Sequence, residues 1–168
     1  MALLTIRGAT LRMQARIDTK NLPVIDGARV AILQSKWYRE YTDLMVSKCT
    51  EVLNSCNAEA EHHVLPGALE LPLACQGLAR TQKYDALVCV GVVLNGETRH
   101  FDMVVDEVSR GLGQVMLNED IPVIVEVIPA DNLEQVIART ADDDLNKGIE
   151  AGVAACEIIS WRRTALGS

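Results

Sequence analysis

Aromatic residues are scarce in this chain, 4% of 168, with a single phenylalanine, two tryptophans and three tyrosines. No apolar run approaches the roughly 20 residues that a membrane-spanning helix needs, so the sequence offers no span and a membrane is not an expected partner. Basic charge is short as well: 16 Lys and Arg stand against 23 Asp and Glu, for a formal net charge of −7. Nucleic acid, held mainly by neutralised phosphates, is therefore excluded as an expected partner. An anionic ligand would have to be met by local cations and backbone amides. The cysteines, Cys49, Cys56, Cys75, Cys89 and Cys156, are odd in number and lack a Cys-x-x-Cys pair. Each sits among apolar neighbours, which reads as buried reduced thiols in a reducing, cytoplasmic setting.

What the chain does have is length and pattern. It is long enough for one domain with a real core, and its 49% hydrophobic content is ordinary for a globular protein. Residues 1–28 show weak periodicity and read as an N-terminal arm. Arg7, Arg12 and Arg16, without an acid in the first seventeen residues, faintly suggest a transit segment, but the stretch is short and lacks serine. Residues 29–168 form the expected domain. Apolar runs predict strands over 29–33, 61–65, 85–94 and 122–128. Helical spacing predicts helices over 40–56, 68–81, 102–118, 132–139 and 147–161. Strand and helix in alternation imply an α/β fold with a parallel sheet covered by helices on both faces. Ligands of such sheets sit outside the carboxyl ends of the strands. The turns 34–38, 66–70, 95–102 and 129–132 all fall there, which points to a small-molecule site.

The stretch Gly96-Glu97-Thr98-Arg99-His100-Phe101-Asp102 links the most apolar strand to a helix. Free N–H groups at a helix start, together with the helix dipole, make an anion site. His100 and Asp102 stand in the same turn, where a carboxylate can orient an imidazole for proton transfer. Thr98 reads as a cap or phosphate ligand, and Glu97 is expected to face away. Trp37 and Tyr38 follow the first strand; Trp37 either offers a flat surface to a heterocycle or packs under its own helix. Glu70, in Pro66-Gly67-Ala68-Leu69-Glu70-Leu71-Pro72, either accepts hydrogen bonds from a ligand or complements a helix dipole. Arg139 and Lys147 flank an aspartate-rich link; they are either its salt-bridge partners or a phosphate clamp. His62 and His63 alternate faces on a strand, lack companion ligands, and read as structural.

Together these segments resemble the lumazine synthase family. The matching pieces are Trp37, the 66–72 turn, the 96–102 turn, residues 132–139 and Asn146-Lys147-Gly148, in order across residues 29–161. The resemblance implies a flavodoxin-like, three-layer sandwich with a four-stranded parallel sheet. It implies condensation of 5-amino-6-ribitylaminouracil with 3,4-dihydroxy-2-butanone 4-phosphate to 6,7-dimethyl-8-ribityllumazine, with release of phosphate and water. No cofactor and no metal are implied. Trp37, Ala68, Leu69, Glu70, Val92, Val93, Leu94 and Val125 would hold the ring and ribityl chain. Gly96, Glu97, Thr98, Arg139 and Lys147 would hold the phosphate, and His100 with Asp102 would move protons. In the family the arginine comes from a neighbouring subunit, so a homopentamer is implied, which some members build into decamers or sixty-subunit shells.

The chain departs from that pattern in places. Asn95 stands where a cation is common, Val125-Glu126 where Phe-Gly is common, and Ile128-Pro129 where Leu-Thr is common. The aspartates at 142–144 also stand where relatives often carry a lysine. A lost stacking contact weakens binding by about 1 kcal/mol, and Glu126 is expected to add charge near the pocket. Two rivals share the fold: a non-catalytic flavin- or lumazine-binding paralogue, and a riboflavin synthase of the archaeal type.

Overall fold

The computed structural model describes residues 4–6, 9–11, 17–96 and 100–167. Two short strands, β1 (Leu4–Ile6) and β2 (Ala9–Leu11), pair antiparallel within the segment expected as an arm. The alternating body follows: β3 (Arg29–Ser35), α1 (Arg39–Ser55), β4 (Glu59–Leu65), a 3-10 turn (Ala68–Glu70), α2 (Leu71–Arg80), β5 (Ala86–Leu94), α3 (His100–Asn118), β6 (Val123–Ala130), α4 (Leu133–Thr140) and α5 (Lys147–Leu166).

The four longer strands form one parallel sheet in the order β4-β3-β5-β6. Parallel crossovers are right-handed, so the direction of travel decides which face a helix covers. The step from β3 to β4 runs one way and puts α1 on one face. The steps from β4 to β5 and from β5 to β6 run the other way and put α2 and α3 opposite. Two apolar layers result. Val30, Ile32, Val88 and Val90 pack with Met45, Leu53, Ala155 and Ile159 of α1 and α5. Ala31, Leu33, Leu87 and Cys89 pack with Leu71, Cys75, Val108 and Leu112 of α2 and α3. Buried residues thus alternate faces along β3 and β5, and the central β5 is apolar almost throughout because both of its faces are covered. Each fully buried aliphatic side chain contributes about 1.5–3 kcal/mol relative to exposure. The core also reaches back before the sheet: Ile25 is buried, and its N–H donates to the Cys56 carbonyl at 2.8 Å.

The helix expected over 68–81 is broken. Pro72 has no N–H to close an α-turn on Ala68, so the chain makes a 3-10 turn first and starts α2 at Leu71. The last helix runs five residues past its expected end, to Leu166. Asn146 secures the link before it. Its Oδ1 accepts from the Gly148 N–H at 2.8 Å, and its Nδ2 donates to the carbonyls of Thr140 and Ala141 at 2.8 and 2.9 Å. A buried side chain thus caps α5 and ties it to the end of α4. All five cysteines are buried free thiols, and those of Cys75 and Cys89 meet at 3.1 Å.

Candidate functional site

The connection direction reverses between β3 and β5. Their following loops diverge there, leaving a crevice at the carboxyl edge of the sheet. Its volume is about 530 Å³. Four segments build it: residues 35–38 beyond β3, 66–70 beyond β4, Val92, Val93 and Leu94 at the end of β5, and His100 with Val104 from the start of α3. Backbone bonds tie the strand ends together: the Lys36 N–H donates to the Leu65 carbonyl at 2.9 Å, and the Asn95 N–H to the Ala130 carbonyl at 2.8 Å.

Trp37 projects from this rim and is 62% exposed, so it does not pack under its own helix. The turn that frees it passes through Tyr38, whose φ of 59° and ψ of 37° lie in the left-handed region, an uncommon conformation for a residue of this bulk. The Tyr38 carbonyl accepts from the N–H groups of Tyr41 and Thr42 at 3.0 and 3.1 Å, which locks the turn onto α1. The Lys36 ammonium lies 5.7 Å from the Trp37 ring centroid, in cation–π range. Glu70 Oε2 and Trp37 Nε1 both crowd Gly67, at 2.9 and 3.6 Å from the place its missing β-carbon would occupy. The carboxylate and the indole therefore flank the same point of the crevice.

Beneath the rim lies a polar network in the buried layer. Gln34 is fully buried. Its Nε2 donates to Thr42 Oγ1 at 2.7 Å and to Asp43 Oδ1 at 2.8 Å, while its Oε1 faces His62 Nε2 at 2.8 Å. With both amide hydrogens spent, Gln34 can only accept from His62, so the proton sits on Nε2. Burial and the nearby Arg39 lower the His62 pKa. Burial tends to raise Asp43, but hydrogen bonds from Gln34 and Arg39 prevail and hold it low. His62 thus has the structural role read from its spacing.

The crevice gathers Trp37, Ala68, Leu69, Glu70, Val92, Val93, Leu94 and His100 from the expected set. The others lie elsewhere. Asp102 is exposed in the first turn of α3, outside the described lining. Gly96 follows β5 but is not among the described lining residues, and Glu97, Thr98 and Arg99 fall outside the described residues. Arg139 turns back on its own helix, where Nη1 donates to the Gln135 carbonyl at 2.9 Å. Lys147 pairs with Glu150, and the aspartate link is met instead by Lys48, which contacts Asp142 at 2.7 Å. Val125 is 44% exposed on the edge strand, away from the crevice of its own chain.

Glu126 differs from expectation. It alternates with Val125 and so shares the face of Ile124 and Ile128, toward α1 and α5. It does not charge the crevice. Burial, reinforced by the Glu150 carboxylate and opposed by Lys147, pushes its pKa up to about 7. Val104 joins the lining without having been singled out in the sequence, while Ser35 belongs to the 34–38 turn but was given no role. Val104 lies one helical turn beyond His100, a spacing that would have revealed it. Ser35 is the last residue of an apolar strand, where its hydroxyl alone was the signal. Among the described residues, no three His, Cys, Asp or Glu side chains are placed to share a metal ion, and no helix is long and apolar enough to cross a membrane.

An open parallel sheet with helices on both faces and a crevice at its switch point defines a three-layer, flavodoxin-like α/β protein. Within that class, residues 27–163 match the 6,7-dimethyl-8-ribityllumazine synthase family, and the chain belongs to it. Solved structures with some likeness include a GDSL-like lipase from Bacteroides thetaiotaomicron, with 13% identity and a TM-score of 0.40, covering 83% of this chain and 65% of the lipase. Another is a periplasmic ribose ABC transporter from Conexibacter woesei, with 9% identity, a TM-score of 0.37, and coverage of 80% of this chain and 70% of the transporter. The chain thus spans just under two thirds of the lipase, and neither likeness bears on function.

Proposed function

We propose that the chain is an active lumazine synthase, joining 5-amino-6-ribitylaminouracil to 3,4-dihydroxy-2-butanone 4-phosphate in riboflavin biosynthesis. The observation that carries this reading is the meeting of Trp37, the 68–70 turn, the end of β5 and His100 around one crevice, in a chain of that family. Trp37 stacks on the pyrimidine. The Ala68–Glu70 segment and the Glu70 carboxylate hold the ribityl hydroxyls, with Val92, Val93 and Leu94 as the apolar wall. The substrate amine adds to the ketone, water leaves to give an imine, phosphate is eliminated, and the second nitrogen adds to the remaining carbonyl, closing the ring with loss of a second water. His100 moves protons in these steps, oriented by Asp102. Most of the acceleration comes from holding two reactants in register.

The phosphate is held by amides at Gly96, Glu97 and Thr98 and by Arg139 and Lys147 of a neighbouring copy. The residues before β3 serve as an arm whose last stretch, at Ile25 and Ala28, packs into the core of the 29–168 domain. A shared site fits the position of Arg139, Lys147 and Val125 outside the crevice of their own chain, and it makes a homopentamer the working unit. Five buried free thiols fit a cytoplasmic setting. Incubating the purified protein with both substrates and following lumazine absorbance tests the reading; no turnover over the uncatalysed rate overturns it. The second reading, a lumazine- or flavin-binding paralogue without catalysis, is favoured by Val125 and Asn95. Tight binding without turnover would establish it.

A further inference from the structure

Ser35 ends β3 and is 1% exposed, yet among the described residues its Oγ has no hydrogen-bond partner. A buried hydroxyl left unpaired gives up its hydrogen bonds to water with nothing in return. Native structures rarely carry that cost without use. Its surroundings explain why none of the described residues meets it. Ser35 pairs in register with Leu65 on one side, and on the other its hydroxyl stands over Gly91, which in turn pairs with Val127. Oγ lies 3.1 Å from the place a β-carbon on Gly91 would occupy. Glycine there gives the hydroxyl room but no partner, and the row around it is aliphatic. Ser35 is one of the residues around the crevice, two residues before Trp37 on the same strand end.

We propose that Ser35 is a specificity contact of this crevice, its hydroxyl completing a hydrogen bond with the carbonyl or N–H edge of a heterocycle stacked on Trp37. This rests on the reading above for the ligand class, a ribityl-bearing pyrimidine or its lumazine product. A hydroxyl both donates and accepts, so it serves either edge group. It distinguishes a polar heterocycle from an apolar ring of the same size, because only the polar ring relieves the unpaired group.

The proposal separates from a structural role by sign. A residue that holds the fold together loses stability when truncated. Ser35→Ala instead removes an unpaired buried group, so the ligand-free protein keeps or raises its urea midpoint. The same variant binds 6,7-dimethyl-8-ribityllumazine about five- to tenfold more weakly, the worth of one neutral hydrogen bond. In turnover, KM for the pyrimidine rises by a similar factor, while KM for the ketone phosphate and kcat hold. Unchanged lumazine affinity overturns the proposal, as does a lowered midpoint, which would reveal a partner for Oγ inside the protein. Wild-type protein that binds lumazine without making it overturns the catalytic reading alone, and Ser35 is then judged on binding. Wild-type protein that binds no lumazine overturns both.

Discussion

Gly148 of α5 lies against the backbone of Met45 in α1: a methyl group on its α-carbon would stand 2.0 Å from the Met45 carbonyl oxygen. No side-chain rotation can relieve such a clash, because the opposing atom is main chain. Gly148 also donates the hydrogen bond that Asn146 accepts, so the tight helix crossing and the cap of α5 are set by the same residue. Overpacking of ordinary side chains costs about 1–3 kcal/mol; against fixed backbone the cost belongs at or above the upper end. Gly148→Ala should lose about 3 kcal/mol or more in urea unfolding, or fail to accumulate as folded protein. A loss under 1 kcal/mol would show that α1 and α5 slide apart easily.

Glu126 gives the protein a pH dependence of its own. Its native pKa of about 7 stands above the ordinary 4.5, so the folded state binds its proton more tightly than the unfolded chain does. The stability linked to that proton is fully present below about pH 4.5 and is lost as pH rises to about 7. The full shift is worth at most about 3 kcal/mol. Glu126→Gln stays neutral throughout. Its stability relative to wild type should therefore climb between these two pH values and level off above them. Denaturant unfolding of both proteins across that range checks it, and a gap independent of pH would refute the assignment.

The legible parts of the fold are those with strong local physics. Residues 85–94 read as a buried strand because a central parallel strand is covered on both faces, which leaves little room for polar side chains. The switch-point turns were legible through Pro66-Gly67 and the lone Trp37 in a chain poor in aromatics. The β1–β2 pair was not, since three-residue strands carry no usable period. The break before α2 was legible in principle: Pro72 lacks the donor, but the leucine and alanine stripe ran across it. Glu126 shows a different failure. Strand alternation puts it opposite Val125, so nearness in sequence to an expected pocket residue does not bring it near the pocket in space. The Gln34–His62 pair was out of reach, because a contact 28 residues apart depends on which strands become neighbours.

Trp37 should report ligand directly. The chain has two tryptophans, and Trp161 is also exposed, on α5 far along the sequence from the crevice segments. In Trp161→Phe, all indole emission comes from Trp37, and adding 6,7-dimethyl-8-ribityllumazine should quench it saturably. In Trp37→Ala, lumazine affinity should fall about tenfold, the loss of a stacked ring. Quenching that survives intact in the Trp37→Ala protein would move the ring elsewhere.

The division of the proposed site between two copies has its own test. Arg139 reaches back to Gln135 within its chain and lies outside the crevice that holds Glu70. If Arg139 closes over the phosphate bound at a neighbour, the two residues of a working site come from different chains. Arg139→Ala should raise KM for the ketone phosphate about ten- to a hundredfold, the range of a charge-assisted hydrogen bond, with little change for the pyrimidine. Glu70→Ala should do the reverse. Co-expressing the two variants then creates some interfaces where an intact crevice meets an intact arginine. Those mixed assemblies should turn over substrate at low concentration well above the average of the two parents. Activity no better than that average would mean that each chain carries its whole site, and the obligatory oligomer would lose its reason.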